Sequence, residues 1–245
     1  KEGCSVPHLS KPVQGIFFDL GWTLLTPVTG DWMFSSLARQ YFPLEKMAEL
    51  PAQRVEAALS EAQGYLNQNH RLHTMEEEYG QFLHYYSLLA EALPELQLTK
   101  GDLEQVAWDK VYEKRKNYAV FPDAKSTLER LQGKYRLGVI SDTWPSIRPF
   151  MEEFGLLSYF DCFTFSFEVG CFKPDRRMYQ DALGKMGLAP EACVFVDDGV
   201  KNLQGAQAAG IQPVLITAKP GAEECPPGMA SVLTVSGILK LLEET

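Results

Sequence analysis

The chain has 245 residues, 45% of them hydrophobic and 22% charged, with a formal net charge of −9 at pH 7. That is long and apolar enough for a large core in one or two domains. An acidic chain without a Lys/Arg block lacks the footprint that a nucleic-acid partner requires, and no apolar stretch reaches membrane-spanning length, so no membrane partner is expected.

Residues 1 to 12 carry Gly3, Pro7 and Pro12 without periodicity and are expected to form a loose leader with no secretory apolar region. The run Gly15-Ile16-Phe17-Phe18 then stops abruptly on Asp19. Its Ile and Phe, with turn residues beyond, predict a buried parallel strand. Groups at the carboxyl ends of such strands face the ligand crevice of an open α/β sheet. Beyond Leu25 the period becomes helical. Asp31 is expected to cap a helix with Phe34, Leu37, Ala38 and Tyr41 on one stripe, and Pro51 to begin another with Val55, Ala58, Ala62 and Leu66 inward. Thr74-Met75-Glu76-Glu77 spells a capping box ahead of Tyr79, Phe82 and Tyr86, and Thr99 to Asp102 opens a fourth helix. Four helices with no strand-like run between residues 31 and 117 predict a helical module inserted after the first strand.

From Phe121 strands and helices alternate. Asp123 is expected to cap a helix; residues 136–140 form a strand that stops at Ser141-Asp142-Thr143, and Pro145 begins a helix. Residues 161–166 are strand-like, and Lys173-Pro174-Asp175 precedes a helix with Met178, Ala182 and Met186 on one face. A strand at 193–196 ends on Asp197-Asp198, followed by a small-residue helix, a strand at 213–216, a short strand near Val232 and a last helix. This rhythm predicts an α/β fold, a doubly wound (Rossmann-like) parallel sheet. Its core domain would comprise residues 13–26 and 119–245, with a helical cap domain at 27–118. Five scattered cysteines, odd in number and without a C-x-x-C, read as reduced thiols, so a cytoplasmic location is expected.

Strand ends at Asp19, Ser141 and Asp197-Asp198, and a segment leading to Lys173, supply one candidate constellation. Singly each has a plain reading. Ser141 and the acidic pair suit helix N-termini, and Lys173 suits a solvated lysine. Together they offer a carboxylate nucleophile, a hydroxyl and an ammonium for anionic oxygens, and acidic ligands for a divalent cation.

These residues resemble the four motifs of the haloacid dehalogenase superfamily of Mg-dependent phosphohydrolases. Asp19-Leu20-Gly21-Trp22-Thr23 matches part of its D-x-D-x-T, Ser141 its second motif and Lys173-Pro174-Asp175 its third. The fourth is matched by Asp197, Asp198, Asn202 and Gly205-Ala206-Gln207-Ala208-Ala209-Gly210. The resemblance implies that Asp19 attacks the phosphorus of a small phosphorylated metabolite and forms an aspartyl-phosphate. Ser141, Asp142 and Lys173 would form the phosphate site, with Ser141 and Lys173 catalytic beside Asp19. Asp19, the carbonyl of Gly21, Asp198 and the adjacent Asp197 would hold Mg²⁺.

The departure is Gly21, where family phosphatases carry the second Asp that serves as general acid and base. Losing such a group costs about two to four orders of magnitude. Asp142, His70, His73 or a bound water are the candidate replacements, and the two histidines read more simply as solvated helix-end residues. The alternatives are a binding homologue with weak or no turnover, 2-haloacid dehalogenation, in which halide leaves without a proton, and phosphonate cleavage. Three clustered carboxylates favour the cation-dependent reading. Oligomeric state is not legible.

Overall fold

The computed structural model describes residues 9–10 and 12–243, so most of the leader expected over residues 1–12 lies outside them. Two compact units are present. One comprises the described residues up to Thr26, Val120–Thr143 and the described residues from Met151 onward; the other comprises Pro27–Ala119 and Trp144–Phe150.

The first unit is a six-stranded sheet built from β1 (Gly15–Phe18), β4 (Arg136–Ser141), β5 (Cys162–Phe165), β6 (Cys193–Asp197), β7 (Gln212–Ile216) and β8 (Ala230–Val232). Two short strands, β2 (Leu25–Pro27) and β3 (Tyr118–Val120), form a separate two-stranded sheet. The six run parallel in the order β5-β4-β1-β6-β7-β8, the expected doubly wound arrangement. β1 lies centrally because Ile16, Phe17 and Phe18 are apolar on both faces, and all three are fully buried. Phe18 stands in register with Val139 of β4 and Val196 of β6, so Asp19, Ser141 and Asp197 share the carboxyl edge. The chain order reverses beside β1, which is where open α/β sheets place their ligand crevice. Gly138 of β4 is required by close approach: a Cβ there would lie 2.7 Å from the Phe17 ring.

The second unit packs helices Ala52–Gln68, Met75–Ala92 and Lys100–Tyr112 around Phe42, Leu66, Phe82, Tyr86, Leu89 and Val106. Both expected capping boxes form, Thr74 with Glu77 and Thr99 with Asp102. Asp31 caps no long helix. Its Oδ1 accepts from the amides of Met33 (2.8 Å) and Phe34 (3.2 Å) in a turn, and the helix begins only at Ala38, whose amide donates to Ser35 Oγ. Asp123 likewise leaves its own helix uncapped by its side chain and accepts from the Ser236 amide at 2.8 Å instead.

One boundary differs from the sequence expectation. Residues 144–150, assigned from sequence to the α/β core at 119–245, belong to the helical unit. The cause is Glu78, fully buried in helix Met75–Ala92, whose carboxylate accepts from Ser146 N (2.7 Å) and Ser146 Oγ (2.5 Å) just before helix Ile147–Glu153. A carboxylate at a helix N-terminus meets unpaired amides and the positive end of the dipole. Trp144 Nε1 donates to Gln81 Oε1 of the same long helix at 2.7 Å. A charged residue reaching across sequence distance has no periodic signature.

Candidate active site

The site is the carboxyl edge of the parallel sheet. The Asp19 amide donates to Val196 O (2.9 Å), extending the β1–β6 ladder by one residue and setting the carboxylate at the strand mouth. The chain then wraps tightly, with Leu20 O accepting from the amides of Thr23, Leu24 and Leu25. Within this turn Trp22, rather than Gly21, takes the left-handed conformation, at φ 56°. A non-glycine residue there costs roughly 1–2 kcal/mol.

Lys173 ties the edge together. Its ammonium lies 2.8 Å from Asp19 Oδ1, donates to Asp197 Oδ2 at 2.7 Å and reaches Ile140 O at 3.3 Å. Burial alone would drive the proton off this amine; Asp19, Asp197 and Asp142 hold its pKa well above the ordinary lysine value. The backbone is held as well, since Lys173 N donates to Asp142 Oδ1 at 3.0 Å. Asp142 was expected among the phosphate-binding residues. Its observed bond is to that amide, and burial raises its pKa. Asp175 caps helix Arg176–Met186 through the Arg177 amide at 2.9 Å. A Cβ on Gly205 would come within 2.7 Å of Pro174 Cβ, which is why helix Val200–Ala208 carries glycine at that position.

The three carboxylates Asp19, Asp197 and Asp198 each place an oxygen within 4.8 Å of the others. Their environments differ. Asp197 is saturated: Oδ1 accepts from Gly199 N (2.7 Å) and Asn202 Nδ2 (3.0 Å), and Oδ2 from Lys173. Asp198 accepts from Lys219 Nζ at 2.9 Å, and burial raises its pKa against that lysine's pull. Asp19 is buried, and the partner of its Oδ1 among the described residues is the Lys173 ammonium at 2.8 Å, which it shares with Asp197. Burial pushes the Asp19 pKa up to about 7; Lys173 opposes this, while Asp197 and Asp198 add to it. Three clustered carboxylates facing two ammonium groups offer hard oxygen donors and a residual negative charge, which fits a small divalent cation such as Mg²⁺. Ser141, at the end of β4, is buried on the same edge.

The family model described as haloacid dehalogenase-like hydrolase matches residues 13–210. The chain belongs to that family. It is similar to the glyceraldehyde 3-phosphate phosphatase of Methanothermobacter thermautotrophicus, 36% identical over 106 residues, covering 40% of this chain and 45% of that protein. The phosphoglycolate phosphatase of Yersinia pseudotuberculosis is 24% identical over 84% of the chain and 82% of its own length. The chain spans about half the length of several other curated relatives that it matches. Among solved structures, a 2-haloacid dehalogenase from Pseudomonas syringae shares the fold, with a TM-score of 0.64 at 21% identity over 95% of this chain and 99% of that one. This protein is therefore a haloacid dehalogenase-like hydrolase with a Rossmann-like core.

Sequence reasoning missed Lys219, which follows β7 in a loop without a motif. Its one available signal was position, because β7 neighbours β6 and a lysine just beyond its carboxyl end falls on the crevice side. His70 also differs from its reading as a solvated helix-end residue. It is buried, edge-on to Trp144 at 5.1 Å, and burial lowers its pKa to about 4. His73 is exposed, as expected.

Proposed function

We propose that this hydrolase releases phosphate from a small phosphorylated metabolite through an aspartyl-phosphate on Asp19. The observation that supports the reading is Lys173, buried between Asp19 and Asp197 at 2.8 and 2.7 Å, in a cluster of three carboxylates. An Asp19 oxygen attacks phosphorus and the ester oxygen departs; water then cleaves the acyl phosphate, releasing phosphate and restoring the carboxylate. Lys173 and Ser141 bind the phosphoryl oxygens. Asp142 keeps Lys173 in place through its amide. Asp19, Asp198 and the Gly21 carbonyl are the groups assigned to Mg²⁺, with Asp197 anchoring the edge from behind. When bound, Mg²⁺ supplies divalent charge between the carboxylates and the phosphoryl oxygens.

Gly21 offers no proton to the leaving alcohol. His70, with its pKa near 4, is neutral at pH 7 and is no substitute acid. The helical segment 27–118 is read as the family's cap and as the source of substrate selectivity. Dehalogenation is disfavoured because three crowded carboxylates call for a cation that halide displacement does not use.

The test is phosphate release with Mg²⁺ from a panel of aryl and alkyl phosphomonoesters. Aryl esters, whose leaving groups need no acid, are expected to react far faster than alkyl ones. Equal rates would refute the missing-acid account, and turnover surviving in Asp19→Asn would refute the nucleophile.

A further inference from the structure

Lys219 has no role in the reading above, yet it is built into the site. It opens a turn in which Pro220 precedes Gly221 at φ 67°, closed by the Ala222 amide donating to Lys219 O at 3.2 Å. Pro at the second and a left-handed Gly at the third position form a pre-organised turn. A second tie fastens the same loop to the start of the helix that follows Asp198, because Glu223 Oε1 accepts from the Val200 amide at 3.3 Å. The lysine is thus delivered by a fixed turn, and its ammonium meets Asp198 Oδ2 at 2.9 Å with both side chains largely shielded, 30% and 14% exposed.

We propose that Lys219 is an internal counter-ion of the cation site, competing with the divalent cation for Asp198. The inference rests on the proposed cation site. Lys173 already serves Asp19 and Asp197, so Asp198 is the one member of the trio whose charge is matched by a residue outside the family motifs. A cation that takes Asp198 as ligand must displace the ammonium or share the carboxylate with it. In either case a unit positive charge within a few ångströms weakens binding of the incoming dication. Lys219 therefore keeps Asp198 neutralised without a cation and lowers cation affinity.

The experiment measures Mg²⁺ binding by calorimetry, and thermal stability in EDTA, for the whole protein and three variants. Lys219→Met is expected to bind Mg²⁺ about tenfold more tightly and to melt at lower temperature in EDTA, because Asp198 loses its partner. Lys219→Arg keeps the charge and is expected to match the parent in both measurements. Asp198→Asn is expected to lose Mg²⁺ binding. Unchanged or weaker Mg²⁺ binding in Lys219→Met, with the parent binding normally and Asp198→Asn failing, overturns the counter-ion role alone. Parent-like Mg²⁺ affinity in Asp198→Asn overturns the cation-site reading and this proposal with it. The opposite signs of the two shifts in Lys219→Met separate competition from simple loss of a stabilising contact.

Discussion

Each unit of the molecule buries a lysine–carboxylate centre, and the two are built to different standards. In the helical unit, Glu78 has a hydrogen-bond donor for each oxygen, both from Ser146, and Lys114 Nζ lies 3.6 Å away as counter-charge. In the α/β unit, three clustered carboxylates share two ammonium groups, those of Lys173 and Lys219, and Lys173 is divided between Asp19 and Asp197. A saturated buried ion pair holds a fold together but has nothing left to offer a ligand. An undersaturated one stores unfavourable charge that a cation and a phosphoryl group can relieve. Burial and charge are common to both centres; what differs is the ratio of carboxylates to counter-charges, one to one around Glu78 and three to two around Asp19.

The contrast is broken most directly by mutating one carboxylate in each centre. Asp19→Asn is expected to lower phosphate release at least about a thousandfold while raising the melting temperature in EDTA, since it removes a crowded charge. Glu78→Ala is expected to do the reverse in kind. It removes the carboxylate counter-charge of Lys114, which keeps the Lys110 carbonyl and the Tyr118 ring, leaves the Ser146 amide without its acceptor, and costs about 3–5 kcal/mol of stability, read by urea denaturation. If both variants destabilised equally, the two centres would be energetically alike and the distinction would fail.

Titration sharpens the same comparison. The folded pKa of His70 is depressed, so between about 4 and 6.5 the unfolded chain binds more protons. Its contribution to stability is therefore present above pH 6.5 and is lost as the pH falls through 4. The expected loss is on the order of 2–3 kcal/mol, seen as the difference between parent and His70→Gln across that window. Asp19 runs the other way. Its folded pKa is raised to about 7, so without a cation its contribution is complete below 3.8 and is lost as pH rises through 7. In the proposed cation site, proton and Mg²⁺ would compete for the same oxygens. Mg²⁺ affinity by calorimetry is thus expected to fall about tenfold per pH unit below 7, and a pH-independent affinity would exclude Asp19 as a ligand.

Much of the α/β unit was legible because its determinants are local. Apolar runs ending on polar residues gave the strands, and the four motifs placed Asp19, Ser141, Lys173 and Asp197-Asp198 on one edge. The capping boxes at Thr74 and Thr99 were equally readable, since a box is a four-residue pattern. What escaped is set by long-range pairing. Glu78 meets Ser146 across 68 residues and moves residues 144–150 into the other unit. Asp123 serves Ser236 across 113 residues instead of its own helix. Lys219 reaches Asp198 from a loop whose sequence looks like any solvent turn. No period or motif announces such partners, because the physics that selects them is the desolvation of a charge that only the folded chain brings about.

Two glycines carry the comparison down to packing. Gly205 sits where a Cβ would strike Pro174 Cβ at 2.7 Å and the Tyr179 hydroxyl at 2.8 Å, and neither a proline ring nor a tyrosine bonded to Asn202 O can swing aside. Gly205→Ala must therefore push its helix outward, at about 1–3 kcal/mol. Because that helix bears Asn202, which orients Asp197, phosphate release should fall together with stability. Gly80, exposed within helix Met75–Ala92, has nothing within 4 Å of its Cβ position. There alanine removes only the conformational freedom of the unfolded chain, and Gly80→Ala should raise stability by about 0.5–1 kcal/mol without touching turnover. Opposite signs for one chemical change would locate the tight packing at the helix behind the acidic edge; a gain from both substitutions would mean that the edge tolerates displacement and that Lys173 does not depend on close helix packing for its position.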